Sequence, residues 1–304
     1  MPTPPSSGPA PTGAGVAPQL ERCPADTDVA KLAEVMQRDG GIILEGLVSP
    51  ADAARIDADL APAVAQRTPG FIGEYDDAFY GANTVRVQGV PSRSRTFVDA
   101  ILMHPTLLAL ADAMLLPYCG DYWMSQAETI FIGPGEPEQE LHRDDVNWSF
   151  AARLGIDLQM SVLTALGDYD AEVGATMVIP ATHRDGFDAP FDAAAAQPAE
   201  LGVGDALVYL GSLVHGGGHN RTADRVRKGL YCSYLLGWLT PEEAPALSLR
   251  PEVAATLPLR ARELLGWSSM RGNPRTAVGA EAALHVWQLD RDDLARFGGS
   301  FTNR

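Results

Sequence analysis

The order of apolar patterns along the 304 residues predicts a mainly β protein with flanking helices, a barrel or sandwich covered by helices. Two observations lead there. The first part of the chain repeats apolar residues at helical spacing, whereas from Trp123 onward the pattern breaks into short β-type segments divided by turn residues, before helical patterns return after Pro241. No GxGxxG follows a strand, so a dinucleotide-binding fold has no support.

Taken in order, residues 1–20 are rich in Pro, Gly, Ala and Ser, have neither a basic start nor an apolar run, and read as a disordered tail. Asp28 to Arg38 places Val29, Leu32, Ala33, Val35 and Met36 at helical spacing, and Gly40-Gly41 stops that helix before the strand-like Ile42-Ile43-Leu44. Ser49-Pro50 supplies an N-cap and a first-turn proline for a second helix over Ala51 to Leu60. His104 to Leu116 reads as a third. Gly70 to Ala82 and Val85 to Arg95 mix Gly, Pro and Arg with Phe71, Tyr75, Phe79 and Tyr80 without a period, which predicts loops over a pocket. Strands are predicted at Ala127 to Ile132, Leu158 to Leu166, Ala175 to Ile179, Ala206 to Leu210 and Leu230 to Leu236. The tail that opens at Pro241 to Glu243 contains helical patterns at Ala261 to Leu265 and Asp290 to Phe297. The expected organisation is one catalytic domain over 21–304, with a helical part at 28–120, a β core at about 121–240 and a helical tail at 241–304.

Composition narrows the partners. A content of 46% hydrophobic residues can bury a sizeable core, and no apolar run is long enough to span a bilayer. A formal charge of −16 repels nucleic acid and anionic lipid, so neither is an expected partner. Cys23, Cys119 and Cys232 are widely spaced without CxxC, which argues against a disulfide framework and favours a reducing cytoplasm. Only Lys31 and Lys228 among the 23 basic residues are lysine, and with abundant Ala this points to a GC-rich bacterial source. A homodimer is left open.

The chemistry is concentrated in a few positions. In Gln139-Glu140-Leu141-His142-Arg143-Asp144-Asp145 the His and the Asp lie two apart, so on an extended segment both face one side and can reach one metal ion. The apolar run Val208 to Val214 ends at His215, followed by Gly216-Gly217-Gly218, whose bare backbone would leave room for a co-substrate. Two His and one carboxylate leave three positions of an octahedral ion open on one face, the arrangement of oxygen-activating iron(II). A His-x-Asp pair alone arises easily by chance. Arg227, twelve residues after His215 at the start of the next strand, would lie deep in the pocket, where its guanidinium can grip the distal carboxylate of 2-oxoglutarate.

These residues carry a resemblance. His142-Arg143-Asp144, the segment Gly174-Ala175-Thr176 with Pro180-Ala181-Thr182-His183, and Gly204-Asp205-Ala206 with His215-Gly216-Gly217-Gly218-His219-Asn220-Arg221 and Arg227 resemble the phytanoyl-CoA dioxygenase family of iron(II)/2-oxoglutarate oxygenases. Val29 to Leu47, including Asp39-Gly40-Gly41, is similar to that family's opening. The resemblance implies a double-stranded β-helix core, of the jelly-roll, cupin-like kind. It implies iron held by His142, Asp144 and His215, and 2-oxoglutarate held by Arg227, with Gln139, Thr176 and Gln88 as further co-substrate contacts. Molecular oxygen and 2-oxoglutarate would be consumed, with release of succinate and carbon dioxide, as a small organic substrate is hydroxylated, desaturated or otherwise oxidised. A carboxylate at Asp144 argues against a halogenase, in which the resemblance implies that chloride takes that place. The His-Arg-Asp-Asp form and the Trp-bearing loop look more like oxygenases that tailor natural products than like the acyl-CoA enzyme. Where the family often has Pro-Gly-Ser-His, Ala181 and Thr182 stand here, which loosens a turn.

Other residues divide between site and scaffold. His219 competes with His215 as third ligand and otherwise lines the pocket; position at the end of the apolar run favours His215. Asp145, Asn147 and Trp148 face substrate or, equally, pack in the core, and the same holds for Phe79 and Tyr80. His183 reads as a turn residue bonding backbone, and His104 and His285 as structural. Two other functions remain open to the same residues: a zinc hydrolase, which leaves Arg227 unexplained, and a non-catalytic cupin-like barrel binding a small ligand.

Overall fold

The computed structural model describes residues 19–70 and 77–267. Most of the expected tail at 1–20, Phe71, Tyr75, His285 and the expected helix at Asp290 to Phe297 lie outside them. Ten strands are present among the described residues: β1 (Arg22–Pro24), β2 (Gly41–Glu45), β3 (Thr84–Val85), β4 (Tyr122–Ile132), β5 (Gln159–Ala165), β6 (Thr176–Ile179), β7 (Gln197–Ala199), β8 (Ala206–Leu210), β9 (Val214–Gly216) and β10 (Arg227–Leu236).

Seven of them form one sheet in the order β1-β2-β8-β5-β10-β4-β3, antiparallel except for β1 on β2, and three form a second in the order β7-β6-β9. The two sheets bury opposite parities of the same strands. Leu163, Leu207, Tyr209 and Tyr231 point toward the small sheet and pack with Ala175, Val178 and Leu213. Their chain neighbours Val162, Ala206, Val208, Leu230 and Cys232 point the other way, into a larger core closed by the helices. A strand covered on both faces is buried at every position, which is why neither β5 nor β8 shows alternating burial and β8 reads as an apolar run.

The helices are formed by the expected local signals. Val29–Asp39 is capped by Asp28, whose side chain accepts the Ala30 N–H, and ends at Gly40 in the left-handed conformation. Pro50–Val64 has Ser49 as N-cap and Pro50 in its first turn. Pro105–Leu115 buries Leu107, Leu110, Ala111, Met114 and Leu115 against the sheet. The structure differs from expectation at Val85 to Arg95, which is not all loop: Val90–Ser92 is a short 3-10 turn, and Arg95–Phe97 begins a helix that continues as a π-helix through Val98–Leu102. Among the described residues of the tail the helices are Pro245–Ser248, Pro251–Ala254 and Leu259–Leu264. No single helix among the described residues is long and apolar enough to cross a membrane.

The apolar run Val208 to Val214 is not one strand. It breaks at Gly211, and the chain crosses from β8 in the large sheet to β9 in the small one. That crossing sets His215 opposite β5, β10 and β4. His142 in turn bridges to His215 across β9, by His142 N–H to His215 O at 2.8 Å and the reverse at 2.9 Å, extending the small sheet by one position.

Candidate active site

Between the two sheets lies a cavity of about 630 Å³. β4 lines it with Gln126, Glu128, Ile130 and Ile132, every second residue, as the two-residue period of a strand requires. The facing wall comes from Thr176, His215 and Gly216 of the small sheet and from Gly217 just after it.

His142, Asp144 and His215 meet here, with one ligand atom from each lying within 4.8 Å of the others. Both imidazoles are oriented by backbone. His142 Nδ1 lies 2.9 Å from the Glu140 carbonyl oxygen and His215 Nδ1 lies 3.0 Å from that of Leu213. A carbonyl can only accept, so each Nδ1 carries the proton and each Nε2 is turned toward Asp144, that of His215 also lying 3.2 Å from the Tyr209 hydroxyl. Asp144 Oδ1 stands 3.6 Å from His142 Nε2 and 3.4 Å from His215 Nε2. Asp144 Oδ2 faces away and accepts three hydroxyls: Ser161 at 3.2 Å, Tyr209 at 3.3 Å and Tyr231 at 3.3 Å. Burial, and then the Asp144 charge, push both phenols well above the ordinary tyrosine range, so they stay protonated and donating. Burial also opposes the Asp144 carboxylate, but the neighbouring His215 and His142 hold its pKa far below the usual carboxylate range. Burial lowers His215 while Asp144 raises it by more, so its pKa stands above the ordinary value. Two neutral-capable imidazole nitrogens and one carboxylate oxygen converging on a point, with every other polar atom of the three already engaged, fit a divalent transition metal.

Arg227 heads β10 and is 1% exposed. One of its terminal nitrogens donates to the Gly174 carbonyl at 3.0 Å, the guanidinium lies 4.8 Å from the centre of the Tyr169 ring, and its Nε is buried without a partner. Among the described residues no carboxylate pairs with it. A buried cation left with an unused donor at the wall of a cavity is made for an anion that comes from outside. Thr176 stands in the facing wall, its hydroxyl 2.8 Å from that of Tyr169.

Residues 36–229 match the family model described as phytanoyl-CoA dioxygenase (PhyH). The chain belongs to the phytanoyl-CoA dioxygenase family. Among curated relatives it is 32% identical to the dioxygenase FrzG of a Cladobotryum species, over 88% of this chain and 96% of that protein. It is 30% identical to the dioxygenase aneA of Aspergillus aculeatus, over 94% and 95%. The fold is similar to that of the non-heme alpha ketoglutarate dependent epimerase SnoN from nogalamycin biosynthesis, with a TM-score of 0.53 and 19% identity over 68% of this chain and 80% of that one. It is also similar to AviO1 from Streptomyces viridochromogenes Tue57, with a TM-score of 0.52 and 21% identity over 70% and 97%. The family's double-stranded β-helix with flanking helices is thus the fold seen here. The curated relatives named here are fungal, so the bacterial reading of the composition has no support from them.

The remaining candidates separate. Gln139, Asn147, Phe79 and Tyr80 line the cavity. The Phe79 ring packs edge-on to His142 at 5.0 Å between centres. Gln139 is partly committed to scaffold, its amide oxygen accepting the Gly217 N–H at 3.0 Å and its nitrogen donating to the Phe79 carbonyl at 3.2 Å. Gln88, Asp145, Trp148 and His219 do not line it. Gln88 is exposed: β3 ends at Val85, and Gln88 projects outward between buried Val87 and Gly89. Asp145 is 2% exposed beneath Gly211, since one residue beyond Asp144 the side chain changes face. The Trp148 indole donates to the Thr240 carbonyl at 2.9 Å and packs on the large core. His219 lies beyond the point where the chain leaves β9. His183 bonds the Gln37 carbonyl at 3.1 Å, the turn role expected of it.

Gly216 and Gly217 line the cavity, as their bare backbone suggested, and the glycines also permit close packing. A Cβ on Gly216 would crowd the Gln139 and Glu140 carbonyls, and one on Gly218 would run into the Ala175 carbonyl. At Gly216 the missing Cβ allows the close approach of backbones that sets His142 and His215 side by side. Sequence reasoning missed Ser161, Tyr209, Tyr231, Arg86, Glu128 and Glu242. The first three sit in strands buried on both faces, where no alternation in the sequence tells the cavity-facing residues from the rest. Arg86 pairs with buried Glu128 in the cavity wall.

Proposed function

We propose that the chain is an iron(II)- and 2-oxoglutarate-dependent oxygenase that oxidises a small organic molecule, a secondary metabolite, with release of succinate and carbon dioxide. The observation that carries this reading is one cavity holding both the His142–Asp144–His215 donor set and the anion-seeking Arg227. A zinc hydrolase needs the first and has no use for the second.

His142 Nε2, Asp144 Oδ1 and His215 Nε2 would hold the iron, and Arg227 with the Thr176 hydroxyl would take the distal carboxylate of 2-oxoglutarate. Gln139 keeps one amide hydrogen free toward the same space. Iron(II), when bound, supplies the activation of oxygen coupled to decarboxylation of the co-substrate. Tyr209, Tyr231 and Ser161 hold Asp144 Oδ2, so the carboxylate presents Oδ1 alone and cannot swing to a two-oxygen grip. Phe79 and Tyr80 shield the His142 side from water, and Asn147 faces the substrate. The three free, buried cysteines support a reducing cytoplasm, and a charge of −16 offers nucleic acid nothing to bind. Residues 21–304 act as one catalytic domain, a reading supported by the large core, which joins the N-terminal helices, the sheet and Leu259–Leu264.

The test is oxygen-dependent conversion of 2-oxoglutarate to succinate by the iron-loaded protein. The expected result is slow succinate release that disappears in His215→Ala. Hydrolytic activity with zinc and no succinate with iron would refute the proposal.

A further inference from the structure

Strand register orders the cavity from end to end. β10 and β4 pair Arg227 with Ile132, Tyr231 with Glu128 and Ser233 with Gln126. At about 3.3 Å per residue, Ile132 and Gln126 are roughly 20 Å apart along β4. Arg227 marks one end. Tyr231, whose hydroxyl reaches Asp144, marks the level of the metal ligands. The other end is the level of Gln126, and there Glu242 is pinned: its N–H donates to Ser125 Oγ at 3.1 Å, and the next N–H, of Glu243, donates to the Ser125 carbonyl at 2.9 Å. Glu242 therefore lies beyond the metal ligands on the side away from the co-substrate anchor.

The charges of the cavity wall leave this carboxylate uncompensated. Arg86 is taken by Glu128, and Glu136 accepts the Asn83 N–H and the Thr84 hydroxyl. Glu242 has neutral donors only: the Asn147 amide on Oε1 at 2.6 Å and the Ser125 hydroxyl on Oε2 at 3.2 Å. No cation pairs with it among the described residues. Two of the four lone-pair sites of a carboxylate are thereby filled, and Glu242 lines the cavity. Crowding by the surrounding protein, and next the charge of Asp144, raise its pKa to about 8, the signature of a carboxylate that lacks a counter-charge.

We infer that Glu242, held by Asn147, anchors the substrate on the side of the cavity opposite Arg227, and that the substrate meets it with a protonated amine; this rests on the oxygenase reading above. A neutral hydroxyl would fill the same lone pairs but leave the charge unmet, so an amine and an alcohol of one shape separate the two chemistries.

The probes are 4-phenylbutylamine and 4-phenylbutan-1-ol, titrated calorimetrically at pH 8.5, where Glu242 is mostly ionised and the amine still protonated, into the full chain under argon, once metal-free and once loaded with iron(II) and 2-oxoglutarate. The amine should bind about tenfold more tightly than the alcohol in both states, and Glu242→Gln should bring the two within about twofold. Melting temperature confirms that the variant is folded. If it is not, Asn147→Ala serves instead and should lower the amine preference by about threefold. Equal affinities, no binding of either probe, or a preference that survives Glu242→Gln would overturn the inference. Absence of a charge-transfer band on loading would speak against the oxygenase reading alone, because the metal-free arm reports on Glu242 independently.

Discussion

At Asp144 the two carboxylate oxygens live in different surroundings: Oδ1 faces two imidazole nitrogens, and Oδ2 accepts three hydroxyls. The metal-free site is held together by charge, and this sets a pH dependence. His215 has a raised folded pKa, so its contribution to stability is fully present below about 6.5 and lost as pH rises through the raised value. Asp144 has a depressed one, so its contribution is present above the ordinary carboxylate range and lost only as pH falls through the lowered value. A metal needs the neutral imidazole and must displace that proton. Metal affinity, measured by competition with a chelator, should therefore be weaker at pH 6 than at pH 8; equal affinities would contradict the assignment of His215. At Arg227, removal of the guanidinium in Arg227→Ala should weaken 2-oxoglutarate binding by about 3 kcal/mol, roughly a hundredfold, measured by titration of the iron-loaded protein. Unchanged affinity would show that another residue anchors the co-substrate.

At the scale of elements, the turn after β6 carries a local misfit. Ala181 has φ +67°, the only non-glycine residue with positive φ among those described, where the family pattern often has glycine. Left-handed backbone in an L residue costs about 1 kcal/mol, so Ala181→Gly should raise stability by about that amount in urea unfolding. Gly218→Ala should do the reverse by about 2 kcal/mol, because its Cβ would displace the Ala175 carbonyl just before β6. Elements were legible in the sequence where local chemistry decides them: the Asp28 and Ser49 caps, the Gly40 stop, and the apolar runs that became β5, β8 and β10. The crossing at Gly211 was not, since an apolar run buried on both faces looks the same whether or not it changes sheet. For the same reason the strand pattern could not show which polar residue faces the cavity; Tyr209 and Ser161 became visible only with register. His142, Asp144, His215 and Arg227 were legible because they sit at short spacing or at strand ends, whereas Glu242 and Arg86 reach the cavity from segments far away in sequence.

Across the whole molecule, two cores divide the work. The larger one, between sheet and helices, contains most of the buried apolar residues, while the smaller one, between the sheets, is interrupted by the cavity. Ligands that fill the gap bind the folded state alone, so stability should follow mass action. Metal at a hundred times its dissociation constant should add about 2.7 kcal/mol and raise the melting temperature, with 2-oxoglutarate adding more only when metal is present. A melting temperature insensitive to both would place the metal elsewhere. The most direct measurement of the central claim is the visible spectrum of the protein mixed with iron(II) and 2-oxoglutarate under argon, before and after oxygen is admitted. The account predicts a metal-to-ligand charge-transfer band that requires both components, is lost in His142→Ala and decays with formation of succinate; no band, with 2-oxoglutarate left intact after oxygen, would contradict it.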